Sequence, residues 1–361
     1  MMLIFPWQVL VFFISFSIIS FALEKSGFFK WCVYKTTKLA RYDGLKLFNY
    51  LFLVVAGITF FTANDIVILT LTPFILHIGL HHNKHPKAYL FMLFFVANTG
   101  SLGHLFGNLT NIMIADVIGV SFMRFLDVLF IPMIIALIVE YIILRLLFNK
   151  EIKQTFSVKD VDTRNLIEDK YELKLSLLLL GLIIVLAIFE PVHRFSLWVY
   201  SLFAVILMLI LTKYDRISLI KKMPWKIIVG VSVLFVLVSF IPLGKIISLI
   251  TSSESFIAIF LAVLISSLLS ALINNLPATI LMSSILAGLS IVNIEPLVYA
   301  TIIGSNIGAN LMISGSLAGL MWMHLIKEKG YHISWREFSK NGLIVTIPVI
   351  VVVSLVLWTI F

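Results

Sequence analysis

The run from Pro296 to Ile326 contains no Asp, Glu, Lys or Arg, yet its centre is polar. Ser305, Asn306, Asn310, Ser314 and Ser316 fall there, with Gly304, Gly308, Gly315 and Gly319 between them. About 20 apolar residues suffice to cross a bilayer, so the run is long enough to do so. Loosened polar backbone at membrane depth occurs only where it is buried in protein or lines a cavity. Two readings compete. Glycines let two helices pack closely while serines bond back to their own helix, or the helix is broken at a binding site. Five polar side chains and four glycines between Gly304 and Leu320 favour the break.

The rest of the chain agrees with a membrane setting. It is 61% hydrophobic and 12% charged, whereas a soluble domain carries about 25% charged residues. The expected fold class is an all-α polytopic membrane protein. Met1 to Leu23 is uncharged but lacks a basic leading region and an A-x-A cleavage site, so it reads as a retained span. Cys32 is the single cysteine, which excludes an internal disulfide and a cysteine metal cage. No metal-ligand cluster, P-loop or nucleophile triad is present, and neither an enzyme nor a cofactor is expected.

The net charge of +9 does not indicate nucleic acid, because the basic residues lie in loops and sort to one side. With the N-terminus outside, five groups fall inside: Lys25 to Lys46, Lys84 and Lys87, Arg145 to Lys174, Lys213 to Lys226, and Lys327 to Lys340. Together they hold 24 of the 27 Lys and Arg; Arg124, Arg194 and Lys245 are outside. The positive-inside rule then orients a multi-pass protein of the cell (inner) membrane, with the C-terminus outside as well.

Residues 1–148 read as a first repeat: a scaffold span, a hairpin at about 47–79, a broken helix at about 88–120 and a span at about 125–148. Glu24 to Arg41 within it reads as an interfacial helix. Residues 149–174 form a cytoplasmic linker. Residues 175–361 read as a second repeat: scaffold spans near 175–190, 195–212 and 227–244, a hairpin at about 255–294, a broken helix at about 296–326 and a last span at about 342–361. Asn64-Asp65 answers to Asn274-Asn275, and Ala97-Asn98-Thr99-Gly100 to Ser305-Asn306-Ile307-Gly308, in the same order and at nearly the same offset. The latter register also aligns Asn108 with Ser316. If the 47–79 segment enters and leaves on the same side, the first half crosses an odd number of times and the second copy is inverted, as in many secondary transporters.

The polar breaks carry the chemistry. Asn64, Asp65, Asn274 and Asn275 stand before apolar helices, where Asn and Asp cap well and Pro277 suits a first turn. Such tips aim free N–H groups and the positive dipole end at a site. Asn98, Thr99, Asn108 and Asn111 in the first break, with Ser305, Asn306, Asn310, Ser314 and Ser316 in the second, add amides, hydroxyls and carbonyls for an ion or a hydroxylated solute. Asp65, Asp116 and His104 are the candidate proton-coupling groups, since a carboxylate within the membrane is a functional candidate by default. Capping for the carboxylates, and packing for His104, are the plainer roles. No Lys or Arg lies between Ala88 and Met123 or between Ile246 and Ile326. A multivalent anion would therefore depend on helix dipoles and a co-bound cation, whereas a neutral hydroxylated solute needs neither.

LEKSGFFKWCVYKTTKLA followed by FFTANDIVILTLTPF resembles the arsenite/antimonite efflux permeases, the arsenical pump membrane protein family. ANTGSLGHLFGNLTNIMIAD, INNLPATILMSSIL and GSNIGANLMISGSLAGLMWMHL are similar to it too, within the wider superfamily of anion permeases and dicarboxylate carriers. The resemblance covers nearly the whole chain. It implies two re-entrant hairpins tipped by Asn64-Asp65 and Asn274-Asn275, two broken helices, and an elevator movement of these parts against a scaffold. Met1 to Leu23 matches the family's third span, so two leading spans are expected to be missing, which alters the surface a homodimer would use. The family often has an aspartate at the position of Asn310, and a proline-containing break where Met312-Ile313-Ser314 stands.

The expected function is proton-coupled export of arsenite or antimonite through the lipid bilayer. The alternative is sodium-coupled transport of a small carboxylate or inorganic anion. A partner ATPase is compatible with the chain, which itself needs no ATP site. A channel or receptor fits less well, because an inverted repeat supplies alternating access.

Overall fold

The computed structural model describes residues 7–41, 43–80, 86–115, 119–153, 166–221, 225, 229, 233, 255–287 and 294–361. Among them every regular element is an α-helix or a 3-10 turn. The first half contains α1 (Trp7–Lys25), α2 (Phe28–Leu39), α3 (Gly44–Phe61), α4 (Asn64–Leu80), α5 (Lys87–Gly100), α6 (Leu109–Ala115) and α7 (Phe122–Leu147). Then follow α8 (Lys170–Ile188), α9 (Leu197–Leu211), α10 (Ser255–Ile273), α11 (Asn275–Ala287), α12 (Glu295–Gly308), α13 (Leu317–Glu328) and α14 (Trp335–Ile360). Six of these, α1, α3, α7, α8, α10 and α14, are long and apolar enough to cross a membrane. The chain is a multi-pass membrane protein. The span expected at 227–244 lies outside the described residues apart from 229 and 233, as does the candidate Asp116.

Short polar side chains set the long helices' starts. Asp43 accepts from Lys46 N at 3.0 Å, Ser121 from Arg124 N at 3.3 Å, Asp169 from Tyr171 N at 2.8 Å and Ser334 from Glu337 N at 3.1 Å. Each satisfies an N–H that the first turn leaves without an intrahelical partner. The Ser334 cap explains why α14 begins at Trp335, ahead of the apolar stretch that marked the last span. Helix α2 buries Phe29 and Val33 completely, and its Tyr34 ring meets Phe74 of α4. The expected interfacial helix is thus held down on protein. Gly27 opens it at φ 86°, against the carbonyl of Leu166, where a Cβ would collide.

The halves of the chain repeat the same element order. Helices α5 and α12 are both 14 residues long and begin at Lys87 and Glu295. Helices α7 and α14 are both 26 residues long and begin at Phe122 and Trp335. Helices α3 and α10 start at Gly44 and Ser255, and α4 and α11 at Asn64 and Asn275, so the spacing between paired starts is nearly constant. Two ion pairs join the halves: Lys87 Nζ to Glu337 Oε1 at 2.5 Å, and Arg124 Nε to Glu295 Oε1 at 2.7 Å. Counted from the paired helix starts, Lys87 corresponds to Glu295 and Arg124 to Glu337. The two bridges are equivalent positions with the charges exchanged.

Glycine decides how closely α12 meets α10. A Cβ on Gly304 would strike the Val263 carbonyl and lie 2.6 Å from Ser266 Cβ; one on Gly308 would lie 2.5 Å from Ser267 Cα. The close-packing reading of the opening run therefore holds for these two positions.

Candidate functional site

Both candidate breaks are broken in the same way. Helix α5 ends at Gly100, two 3-10 turns (Ser101–Gly103 and Leu105–Gly107) follow, and α6 restarts at Leu109. Helix α12 ends at Gly308, a 3-10 turn spans Ile313–Gly315, and α13 restarts at Leu317. The restarts share their chemistry. Asn108 Oδ1 accepts from Thr110 N at 3.2 Å, and Ser316 Oγ from Gly319 N at 3.0 Å. Both residues sit at the positions that the repeat register aligned, and both cap the second half-helix.

The broken ends are joined by a buried amide network. Asn64, at the α3–α4 connection, donates through Nδ2 to Asn98 Oδ1 at 2.8 Å, and Asn98 Nδ2 donates to Asn310 Oδ1 at 2.9 Å. Asn306 uses its whole amide: Nδ2 donates to Asn111 Oδ1 at 2.6 Å and to the Ile302 carbonyl at 2.8 Å. Its Oδ1 accepts from Asn108 Nδ2 at 2.8 Å and Ser101 Oγ at 3.0 Å. Ser101 Oγ also lies 2.8 Å from the Asn98 carbonyl, so its single proton is shared between two acceptors. Asn64, Asn98, Asn306 and Asn310 are each at most 1% exposed. Four side-chain contacts thus cross between residues of the two halves at one level of the fold.

Asn98 and Asn306 are linked by Ser101 Oγ, which reaches both. They also bond to neighbouring amides, because an amide buried at this depth must find partners or incur a large desolvation cost. The described larger cavity lies beside the network. It has a volume of about 600 Å³ between α1, α4 and α13; Ala63 and half-buried Asp65 form part of its wall, and Glu24 and His324 also line it. A smaller one of about 200 Å³ is lined by Gln8, Glu190 and Trp198.

The other expected residues divide plainly. Asn274 takes a left-handed φ of 80°, receives Leu276 N at 3.3 Å and donates to the Ser314 carbonyl at 3.1 Å, so it caps α11 and ties it to the second break. Asn275 is buried at the first position of α11. Ser314 Oγ donates to the Ala271 carbonyl at 3.3 Å, also across to α10. Ser305 Oγ bonds back to the Ile302 carbonyl of its own helix at 3.0 Å, the plainer of the two roles open to it. His104 Nδ1 accepts from Phe106 N at 2.9 Å, and its ring packs edge-on to Phe60. That is a capping and packing geometry. Thr99 is fully buried and its hydroxyl has no partner. Sequence reasoning passed over Ser101, which joins the network, and Glu140 of α7, 1% exposed, with neither carboxyl oxygen bonded among the described residues.

The comparisons agree over the full length of these elements. A family model described as "ArsB: Arsenical pump membrane protein" matches residues 3–360. A protein of Escherichia coli (strain K12) named "Arsenical pump membrane protein" is 27% identical over 96% of this chain and 85% of its own length. One of the same name from Yersinia enterocolitica is 26% identical over 96% of this chain and 85% of its own. A Mycobacterium leprae "46 kDa membrane protein" is 24% identical over 98% of this chain and 86% of its own.

Proposed function

Because this chain belongs to the arsenical pump membrane protein family, we propose that it is a secondary transporter exporting arsenite or antimonite in exchange for protons. The observation that carries this reading is the amide network where two equally broken helices meet. A neutral hydroxylated solute is recognised by amides and hydroxyls that accept and donate in turn. It requires no fixed cation, and no Lys or Arg interrupts α5, α6 or α12 beyond Lys87 at the cytoplasmic end. On this reading the network is the closed, solute-free arrangement, and the solute enters by exchanging bonds with Asn98, Asn306 and Asn310. The cavity beside Asp65 is its approach.

The repeat reading underlies the mechanism. Matched helix lengths, matched spacings and the exchanged ion pairs support two inverted copies, residues 1–148 and 175–361, joined by the linker at 149–174. Helices α3–α4 and α10–α11 are then the re-entrant hairpins. Phe60 near the end of α3 packs against Phe130, about two turns into α7, so α3 stops about 12 Å short of the start of α7 at about 1.5 Å per residue. A helix that stops there supports a hairpin over a full crossing. Contacts also join residues that the charge pattern assigns to one side. Trp7 meets Trp198, and Arg124 meets Phe361, at the predicted outer face; Lys25 meets Tyr214 at the inner. The hairpins and broken helices would move as one elevator body against α1, α7, α8, α9 and α14.

The test is transport by the purified chain in proteoliposomes with an imposed pH gradient. Antimonite or arsenite accumulation that collapses with the gradient is expected. Sodium-dependent accumulation of succinate or citrate in its place would overturn the reading in favour of a carboxylate carrier.

A further inference from the structure

Glu140 lies on the buried face of α7, between Ala136 and Leu144. Both its oxygens are shielded and without a hydrogen-bond partner among the described residues. The Thr99 hydroxyl reaches toward it from α5, but the contact falls short of a formed bond, since Thr99 Oγ1 is itself unpartnered. An ionised carboxylate in such a place is far more costly than a protonated one, so a proton is the occupant the site favours. A metal-sized hard cation is a poor fit, because calcium, for instance, takes about six or more oxygen ligands.

No charged group among the described residues bonds it. On α7, Asp127 is paired with Arg124, and Arg145 is exposed beside Tyr141. From α5, Lys87 is bound to Glu337 of α14, and the Tyr89 hydroxyl donates to the Gly44 carbonyl. From α8, Glu172 accepts from Thr212 Oγ1 and Lys213 N. His104, in the break, is bonded through Nδ1 to Phe106 N. Lys150 and Glu151 follow α7, Lys170 and Lys174 lie in the first turns of α8, Arg336 and Lys340 lie in the first turns of α14, and Lys46 of α3 is paired with Asp43.

The other half of the chain acts as an internal control. Counted from the starts of the paired helices, Thr99 corresponds to Ile307 and Glu140 to Val353, and both of these are buried. Packing at that place is therefore satisfied by two apolar side chains. The hydroxyl and carboxyl in the first half serve something else.

We propose that Glu140, with Thr99 beside it, is the proton-binding site of the transport cycle, gaining its proton from the outer side and releasing it to the cytoplasm. Thr99 follows Asn98 in α5, so one helix end presents Asn98 to the amide network and Thr99 to the carboxyl. Movement of that end on solute exchange changes the surroundings of Glu140 directly. The proposal rests on the reading of the chain as a proton-coupled exporter.

Two measurements test it. In wild-type proteoliposomes, dicyclohexylcarbodiimide forms an N-acylurea on protonated carboxyls in apolar surroundings, and mass spectrometry locates it. An adduct at Glu140 that declines as pH rises is expected; its absence at every pH overturns the proposal. In the Glu140→Gln variant, accumulation of antimonite driven by a pH gradient should fall by an order of magnitude or more while antimonite counterflow at matched pH persists. Glu140→Asp should restore gradient-driven transport with a displaced pH profile. Gradient-driven accumulation by Glu140→Gln at the wild-type level, or equal loss of accumulation and counterflow, overturns it. If the wild type moves neither arsenite nor antimonite, the substrate reading fails, and the adduct with its pH dependence still decides the role of Glu140.

Discussion

Replacing Asn306 by alanine removes an amide with four bonds, and the structure says which partners suffer. Ser101 keeps the Asn98 carbonyl and Ile302 O keeps Ser305 Oγ, so neither is stranded. Asn108 Nδ2 and Asn111 Oδ1 lose the bonds they make to Asn306. A buried group left unpaired costs about 1–3 kcal/mol in a soluble protein. Within a bilayer, cross-helix polar bonds average about 0.6 kcal/mol and reach about 1.7 kcal/mol, because the unfolded chain finds other partners there. Two stranded groups then give a loss of about 1–3 kcal/mol. Asn98→Ala strands two as well, Asn64 Nδ2 and Asn310 Oδ1, so it should match Asn306→Ala. Asn310→Ala strands only Asn98 Nδ2 and should lose about half as much. The double variant Asn98→Ala/Asn310→Ala should be no less stable than Asn98→Ala alone, because their shared bond is already gone. Reversible unfolding in mixed micelles measures these differences, with exposed Asn149→Ala as the unaffected control. Additive losses for Asn98 and Asn310, or a wild-type Asn306→Ala, would refute the network.

Asp65→Asn should weaken antimonite efflux while leaving the protein folded, since Asp65 stands on the cavity wall and only its backbone N–H bonds Asn64 Oδ1; unchanged flux in proteoliposomes would remove it from the path. With Cys32 replaced by Ser, a cysteine at Thr70 should react with an impermeant maleimide added from the cytoplasm, and one at exposed Ile273 with reagent from outside; the reverse pattern would invert the topology. Gly308→Val should destabilise by about 1–3 kcal/mol or more through overpacking against Ser267, whereas Gly181→Ala, in α8 with open space around it, should gain up to about 1 kcal/mol from helix propensity. Thermal inactivation rates of the two variants, moving in opposite directions, check the pair.

The two breaks were legible because hydrocarbon penalises a polar, glycine-rich stretch so heavily that it must serve a purpose. The register between them was legible because Asn98 and Asn306, Gly100 and Gly308, and Asn108 and Ser316 repeat the same offset. What sequence could not supply is partner choice. Asn64 read equally well as a cap, and it does receive the Asp65 N–H, but its amide nitrogen goes to Asn98. Asn310 read as a departure from a family aspartate, and in the structure it accepts from Asn98. Which amide meets which is fixed by how two distant helix ends pack, and a linear pattern carries no such information. The start of α14 was missed for the opposite reason: a local Ser334 cap extends the helix beyond its apolar stretch.

Glu140 escaped notice because a single carboxylate near the end of a long apolar helix, shortly before Arg145, has the same pattern as an interfacial residue. Its burial is a tertiary fact, produced by α5 and α14 covering that face of α7. The repeat could have revealed it. Aligning α7 with α14 puts Glu140 opposite Val353, and aligning α5 with α12 puts Thr99 opposite Ile307. The halves therefore differ in chemistry where they agree in shape. The ion pairs obey the reverse rule: Lys87–Glu337 and Arg124–Glu295 exchange their charges yet keep the same bridge. Where two halves share an element order, a difference that preserves an interaction keeps the same bridge in place. A difference that removes the partner, as at Glu140, gives one half a property that the other lacks.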